Sequence, residues 1–253
     1  MYVIFASIIF SVFFGCSQKK SSTTAGHTVV SKNIIEDDIQ YYKNGQLKQK
    51  GSRTDGKREG PFEMYYKNGQ LKRKGTFAAG KQEGPWVWYH ENGQLSKKGV
   101  YEDDKRQGVW VAYHRNGTLD HKGAYEDGKK EGPFESYYEN KQLRRKGSYK
   151  DGESDGSFEL YYKNGQRKAR GMYKAGRPEA SWVYYYQNGQ VQSKESYKEG
   201  KQEGLREKYY QNGQLKERFS FKDNKKDGPF EEYTENGALK NKGVFKDGKQ
   251  ILE

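Results

Sequence analysis

Three groups of side chains in this sequence have types and spacings that could do chemistry: four histidines, the acids of a recurring Gly-rich loop, and a ladder of tyrosines and basic residues. The histidines are His27, His90, His114 and His121. His90 and His114 fall at equivalent places in successive copies of a repeat. They should therefore project from one face about 10 Å apart, too far to share a metal ion. Both replace a tyrosine of the Tyr66 type, and packing is their expected role. The loop acids, such as Asp127 and Glu131 in "DGKKEG", are separated by Lys129 and Lys130, which repel a cation, and the alternating oxygen ligands of an EF-hand are missing. They predict turns. No Gly-rich loop leads into a helix, and no Ser, Cys or Thr stands with a His and a carboxylate. Each acid of the tyrosine ladder has a base expected opposite it, so no carboxylate pair is free for hydrolysis. The sequence predicts no enzyme, no metal and no cofactor.

The elements that position the ladder follow from a repeat. Asn44, Asn68, Asn92, Asn116, Asn140, Asn164, Asn188, Asn212 and Asn236 lie 24 residues apart without insertion or deletion, and Gly follows each except Asn140. Such spacing means that each unit stacks on the next with one geometry. "NG" between apolar-containing runs signals a hairpin with a type I′ turn, and the "DGKKEG" segment supplies a longer loop to the next strand. The predicted fold is all-β: an elongated, twisted, single-layer antiparallel meander of consecutive 24-residue β-hairpin repeats, advancing about 10 Å per unit over some ~80 Å.

With Asn68 and Gly69 at the turn centre, Tyr66 opposes Leu71, Tyr65 opposes Lys72, Met64 opposes Arg73, Glu63 opposes Lys74 and Phe62 opposes Gly75. Alternation then places Phe62, Tyr66, Leu71, Gly75 and Phe77 on one face. Phe62 and its counterparts Trp86, Trp110, Phe134, Phe158, Trp182 and Phe230 are expected over the glycine of the opposing strand. In the eighth unit Arg206 takes the aromatic place, and its expected partner is Phe219 instead of Gly. The other face carries Tyr65, Glu63, Lys72 and Lys74, and the counterparts of Glu63 in other units include glutamates and valines.

Along that second face Tyr65, Lys74, Tyr89, Lys98, Tyr113, Lys122, Tyr137 and Lys146 are the candidate binding residues. Tyrosine offers broad amphipathic contact, and lysine offers long-range attraction. Glu63, Glu135, Glu159, Glu207 and Glu231 should pair with the base opposite. Val87, Val111 and Val183 leave the bases uncancelled, so the units from about 86 to 123 should be the most basic and least polar part of the face. Alternatively, Tyr rings and Lys stems simply cover one another along the sheet.

The chain of 253 residues is 32% hydrophobic and 32% charged, with 22 tyrosines and a formal net charge of +13. A thick core is not expected, but the aromatics exclude a disordered polyelectrolyte. The charge favours a polyanionic partner, or serves solubility alone. Residues 1–15, "MYVIFASIIFSVFFG", lack charge and suit a signal-peptide core. Cys16 follows, then a polar tether to residue 36 and the repeat domain at 37–253, eight units and a partial ninth. "FFGC" resembles a bacterial lipobox, which implies lipidation of Cys16 and a lipid-anchored location in the cell envelope, at the outer membrane if the cell has one. Export disfavours nucleic acid as a partner.

The frame "GAYEDGKKEG" from Gly123, followed by Pro-Phe-x-x-Tyr-Tyr, resembles the MORN-variant repeat, found in bacterial chains that include YwqK-type antitoxins. The resemblance spans about 41–250 and implies a twisted meander that binds protein or lipid without an active site. Lys141, Arg167, Ala180, Glu195 and Arg206 depart from the pattern, so units five to eight are expected either to be looser or to be where a partner is read. The expected partner is a protein, held through the Tyr and Lys face in an antitoxin- or immunity-like role. The alternative is an envelope glycan or anionic phospholipid.

Overall fold

The computed structural model describes residues 33–251; the expected signal segment, Cys16 and His27 lie outside the described residues. The described residues form 22 strands in one antiparallel sheet, each paired with strands close to it in sequence. The all-β meander of consecutive hairpins is what the 24-residue period predicts. The first strand, Ile35–Asp37, starts ahead of the boundary expected at residue 37, because it pairs with Leu47–Thr54 at the sheet's first edge.

The hairpin Lys57–Tyr65/Leu71–Ala78 shows how far alternation fixes register. Phe62 pairs with Gly75, Glu63 with Lys74 and Met64 with Arg73, as expected. Nearer the turn the expectation fails: a β-bulge lets Tyr65 pair with Leu71, and Lys72 becomes the extra residue. The cause is the turn. Gly69 N–H donates to the Tyr66 carbonyl at 3.0 Å and Tyr66 N–H to the Gln70 carbonyl at 2.8 Å, which closes a three-residue loop. In that loop Gly69, with φ of 82°, takes the left-handed position. This is a type I turn with a glycine bulge in place of the expected type I′ turn. The type I′ geometry occurs at the other end of the unit, where Asp127 (φ 48°) and Gly128 (φ 82°) join the paired residues Glu126 and Lys129.

Two misspelled units carry strain at such positions. Lys141 (φ 69°) occupies the place of Gly69, and Ala180 (φ 56°) that of Gly84 (φ 66°). A Cβ in the left-handed region costs about 1–2 kcal/mol. Lys141→Gly and Ala180→Gly are therefore each expected to stabilise the protein by about 1 kcal/mol in denaturant titrations.

The packing face is a stripe of rings. Phe62, Phe77 and Trp86 form one buried cluster, Phe158, Ala169 and Trp182 a second, and Phe219, Phe221 and Phe230 a third. Phe77 meets Phe62 and Trp86 edge-on, at 5.2 and 5.1 Å between centroids. From Phe62 to Trp182 each ring covers a glycine of the previous hairpin instead of its own: a Cβ on Gly75 would fall inside the Trp86 indole, and one on Gly99 inside Trp110, whereas Phe230 meets its own hairpin's Gly243 as expected. A bulge at Gly75 in the pairing between units slides the next strand so that its ring lands there. The eighth unit obeys the same rule. Arg206 pairs with Phe219 as expected, and because no ring is placed at 206, Glu195 is accommodated where the other units need glycine.

Candidate functional site

On the opposite face the bases and their partners form one row across the sheet. Pairing runs without a break from Lys50 through Glu63, Lys74, Val87, Lys98, Val111 and Lys122 to Glu135 and Lys146. Each acid thus has a base on both sides. It was expected to pair within its hairpin, yet the short contacts mostly reach back to the preceding one. Lys50 meets Glu63 at 2.8 Å, Lys122 meets Glu135 at 2.9 Å and Lys146 meets Glu159 at 3.3 Å. Glu207 also holds the row's base of its own hairpin, Arg218, at 3.1 Å.

Tyrosine completes these contacts. The Tyr65 hydroxyl donates to Glu63 and the Tyr137 hydroxyl to Glu135 at 2.7 Å, each acid lying two residues back on the same face. Hydrogen bonds from Lys50 and Tyr65 hold Glu63 below the usual carboxylate range. The hydrogen bond to Glu135, with burial, pushes Tyr137 up to about 12. Such exposed pairs contribute a few tenths of a kcal/mol up to about 1. Their larger consequence is that these groups are occupied.

The bulge removes Lys72 from this face. Its ammonium lies 5.3 Å from the centroid of the Tyr66 ring, and Leu71 takes its expected place beside Tyr65. Arg167, which stands at the Leu71 position, confirms the swap by meeting Glu159 at 3.3 Å.

The eight candidates accordingly separate. Tyr65, Tyr137, Lys122 and Lys146 are held in side-chain pairs within the protein. Lys74, Tyr89, Lys98 and Tyr113 make no such side-chain hydrogen bond or ion pair among the described residues. Lys98 has valine in register on both sides, Val87 and Val111. Further along the same strands Pro85 pairs with Val100 and Val109 with Ala124. Val100 is 42% exposed and Val109 63% exposed. Lys98, itself exposed, thus stands among the half-buried Val87 and Val111 and the exposed Val100 and Val109, in the stretch that the sequence marks as the least polar of the ladder.

Two sets of residues escaped the sequence reading. Tyr66 locks units together: its hydroxyl donates to the Tyr89 carbonyl at 2.9 Å, and Tyr42, Tyr138, Tyr162, Tyr186 and Tyr210 repeat the contact. His90 and His114 do the same through Nε2, at 2.9 and 3.0 Å from the carbonyls of Tyr113 and Tyr137. A carbonyl only accepts, so Nε2 carries the proton. The second set covers the rings: the Arg73 guanidinium lies over Phe62 and Trp86, and the Lys97 ammonium over Trp88 at 4.5 Å. Burial, then neighbouring cations, lower the pKa of both Arg73 and Lys97. The signal for them was the basic residue two places before a strand glycine, as at Arg73, Lys97 and Arg145.

One open sheet of stacked hairpins, packed by rings on one face and polar across the other, defines a β-hairpin repeat scaffold. The chain belongs to the MORN repeat variant family, which matches it at residues 39–55, 58–79, 82–103, 130–151, 154–175, 178–199, 202–223 and 226–247. The stretch between 103 and 130, which carries Val109, Val111 and His114, lies between matches. No curated protein matches the chain. Among solved structures it is similar to "Crystal Structure of TcdB2-TccC3", at 11% identity and a TM-score of 0.20 over 84% of this chain. It is similar also to "Crystal Structure of TcdB2-TccC3-Cdc42", at 11% identity and 0.20 over 83%. The chain spans 16% and 13% of the length of those two chains.

Proposed function

We propose that this protein is a non-catalytic scaffold that holds a protein partner on its tyrosine and lysine face, centred on Lys98 and its flanking valines. The observation that carries the reading is the stretch Val87–Lys98–Val111, where the lysine has no acid in register on either side and the exposed Val100 and Val109 stand on the same face. Exposed apolar surface around a charged group marks a contact site on a soluble protein. Tyr89 and Tyr113 border the patch with rings that lose little entropy on contact. Anchoring through a lipid on Cys16 would place the face in the cell envelope, and an antitoxin- or immunity-like role fits a partner that must be held without chemistry.

A second reading is favoured by Lys98, which has no acid in register: an anionic glycan or phospholipid taken by the same row. Lys98→Glu tests both. The substitution is expected to leave the melting transition unchanged and to reduce partner binding tenfold or more; unaltered binding removes the row from consideration. A protein partner should keep most of its affinity from low to moderate salt, whereas an anionic glycan or lipid should lose most of it.

A further inference from the structure

We infer that the ring face carries a second, separate site for a neutral sugar, in the gap between the second and third aromatic clusters. Beyond Tyr184 and Tyr197 the stripe of rings is interrupted until Phe219, and a depression of about 460 Å³ opens beside the gap. Three sequence changes make it. Ser193 is small where Arg73, Lys97 and Arg145 lay long side chains over the rings. Lys208 stands where Leu160 and Trp88 pack, and it turns to Glu217 at 3.0 Å. Glu195 stands at a glycine position.

The floor and walls suit a hydroxylated ring. Tyr184 and Tyr186 line the depression. The Tyr186 hydroxyl is engaged with the Tyr209 carbonyl at 2.7 Å, so its ring is fixed in place. Ser193 is 5% exposed, and its hydroxyl donates to Glu195 Oε1 at 3.3 Å. The Tyr197 hydroxyl donates to Glu195 Oε2 at 2.5 Å. The Glu195 carboxylate makes no ion pair among the described residues. Each of its oxygens keeps a free lone pair, so the group can accept from two adjacent hydroxyls.

Charge selects the class of ligand. A cation would meet Lys208 and Lys216 at the wall, and an anion would meet Glu195. A neutral pyranose meets neither objection: its C–H face stacks on tyrosine while neighbouring hydroxyls donate to the carboxylate. The volume falls in the range of small-molecule sites, about 300–1,000 Å³. Because this site uses neither Lys98 nor its valines, it is independent of the partner face.

Titrating the full chain with cellotriose and with chitotriose, both uncharged, tests the inference through the fluorescence of Trp182, which stacks on Tyr184 at 6.0 Å. One or both sugars are expected to saturate with a dissociation constant of about 1 mM or tighter. Glu195→Gln should weaken binding about tenfold. Ser193→Arg, which places there the long side chain carried by Arg73 and Arg145 in their units and fills the depression, should abolish it. Lys98→Glu should change nothing. No saturation by either sugar up to about 10 mM, or equal affinity in the Glu195→Gln chain, would overturn the proposal; the latter variant keeps shape, so it decides even if Ser193→Arg fails to fold.

Discussion

Trp86→Ala is expected to destabilise the protein by about 3–5 kcal/mol, the range for removing a buried tryptophan. Trp86 is fully buried, lying on Phe62, Phe77, Trp88 and Tyr101, and its indole N–H donates to the Thr76 carbonyl at 3.1 Å. Because each unit contacts only its neighbours, the loss should also uncouple the array. The denaturant transition should broaden or split, with the units before Trp86 unfolding first. Gly75→Ala is the sharper companion. The backbone at Gly75 is ordinary, but a Cβ would occupy the space of the indole, so the ring must leave. A similar loss in both variants is the expected outcome. A wild-type transition in Gly75→Ala would show that the ring does not rest on the preceding hairpin's glycine.

Asp38→Ala is expected to cost about 2–4 kcal/mol at the first edge of the sheet, less than a fully buried ion pair because its arginines reach solvent. Asp38 is 6% exposed, accepts from Gln49 Nε2 and Arg58 Nε at 2.9 Å each, and meets Arg53 at 3.3 Å. Burial opposes its ionisation, but Arg58, Arg53 and Gln49 outweigh that and hold the carboxyl below its usual value. A carboxyl with a depressed folded pKa contributes stability that is present above about pH 3.9 and lost as pH falls through the lower folded value. Arg58 also lies over Phe62 at 4.6 Å, so the edge and the first ring cluster are coupled. Hydrogen exchange should report the loss first in Ile35–Asp37 and Leu47–Thr54. Protection there equal to wild type would show that Asp38 is not the clasp.

Much of this was legible because alternation and a fixed period are strong constraints. They gave the pairs Phe62–Gly75 and Glu63–Lys74, the row of bases, and the valine stretch around Lys98. What failed did so for two physical reasons. Local turn chemistry shifted Tyr65 and Lys72, because "NG" closes a three-residue loop here and pushes a bulge into the following strand. Contacts between units were the other gap. A register argued inside one hairpin does not reveal that Trp86 covers Gly75, that Glu63 takes the lysine of the preceding unit, or that Tyr66 bonds across to Tyr89. Asp38 stands one period before Phe62, where the repeat predicts a ring, so its place in the period points to packing and not to a buried acid.

In the proposed function, partners are read by the valine and lysine patch on the Tyr face. The most direct measurement is site-specific photo-crosslinking, with a benzophenone side chain placed in turn at Val109, at Val100 and, as a control on the loop edge, at Lys81. A crosslink to one and the same partner from Val109 and Val100 but not from Lys81 is the predicted result. A partner captured from Lys81 and not from either valine would contradict the claim.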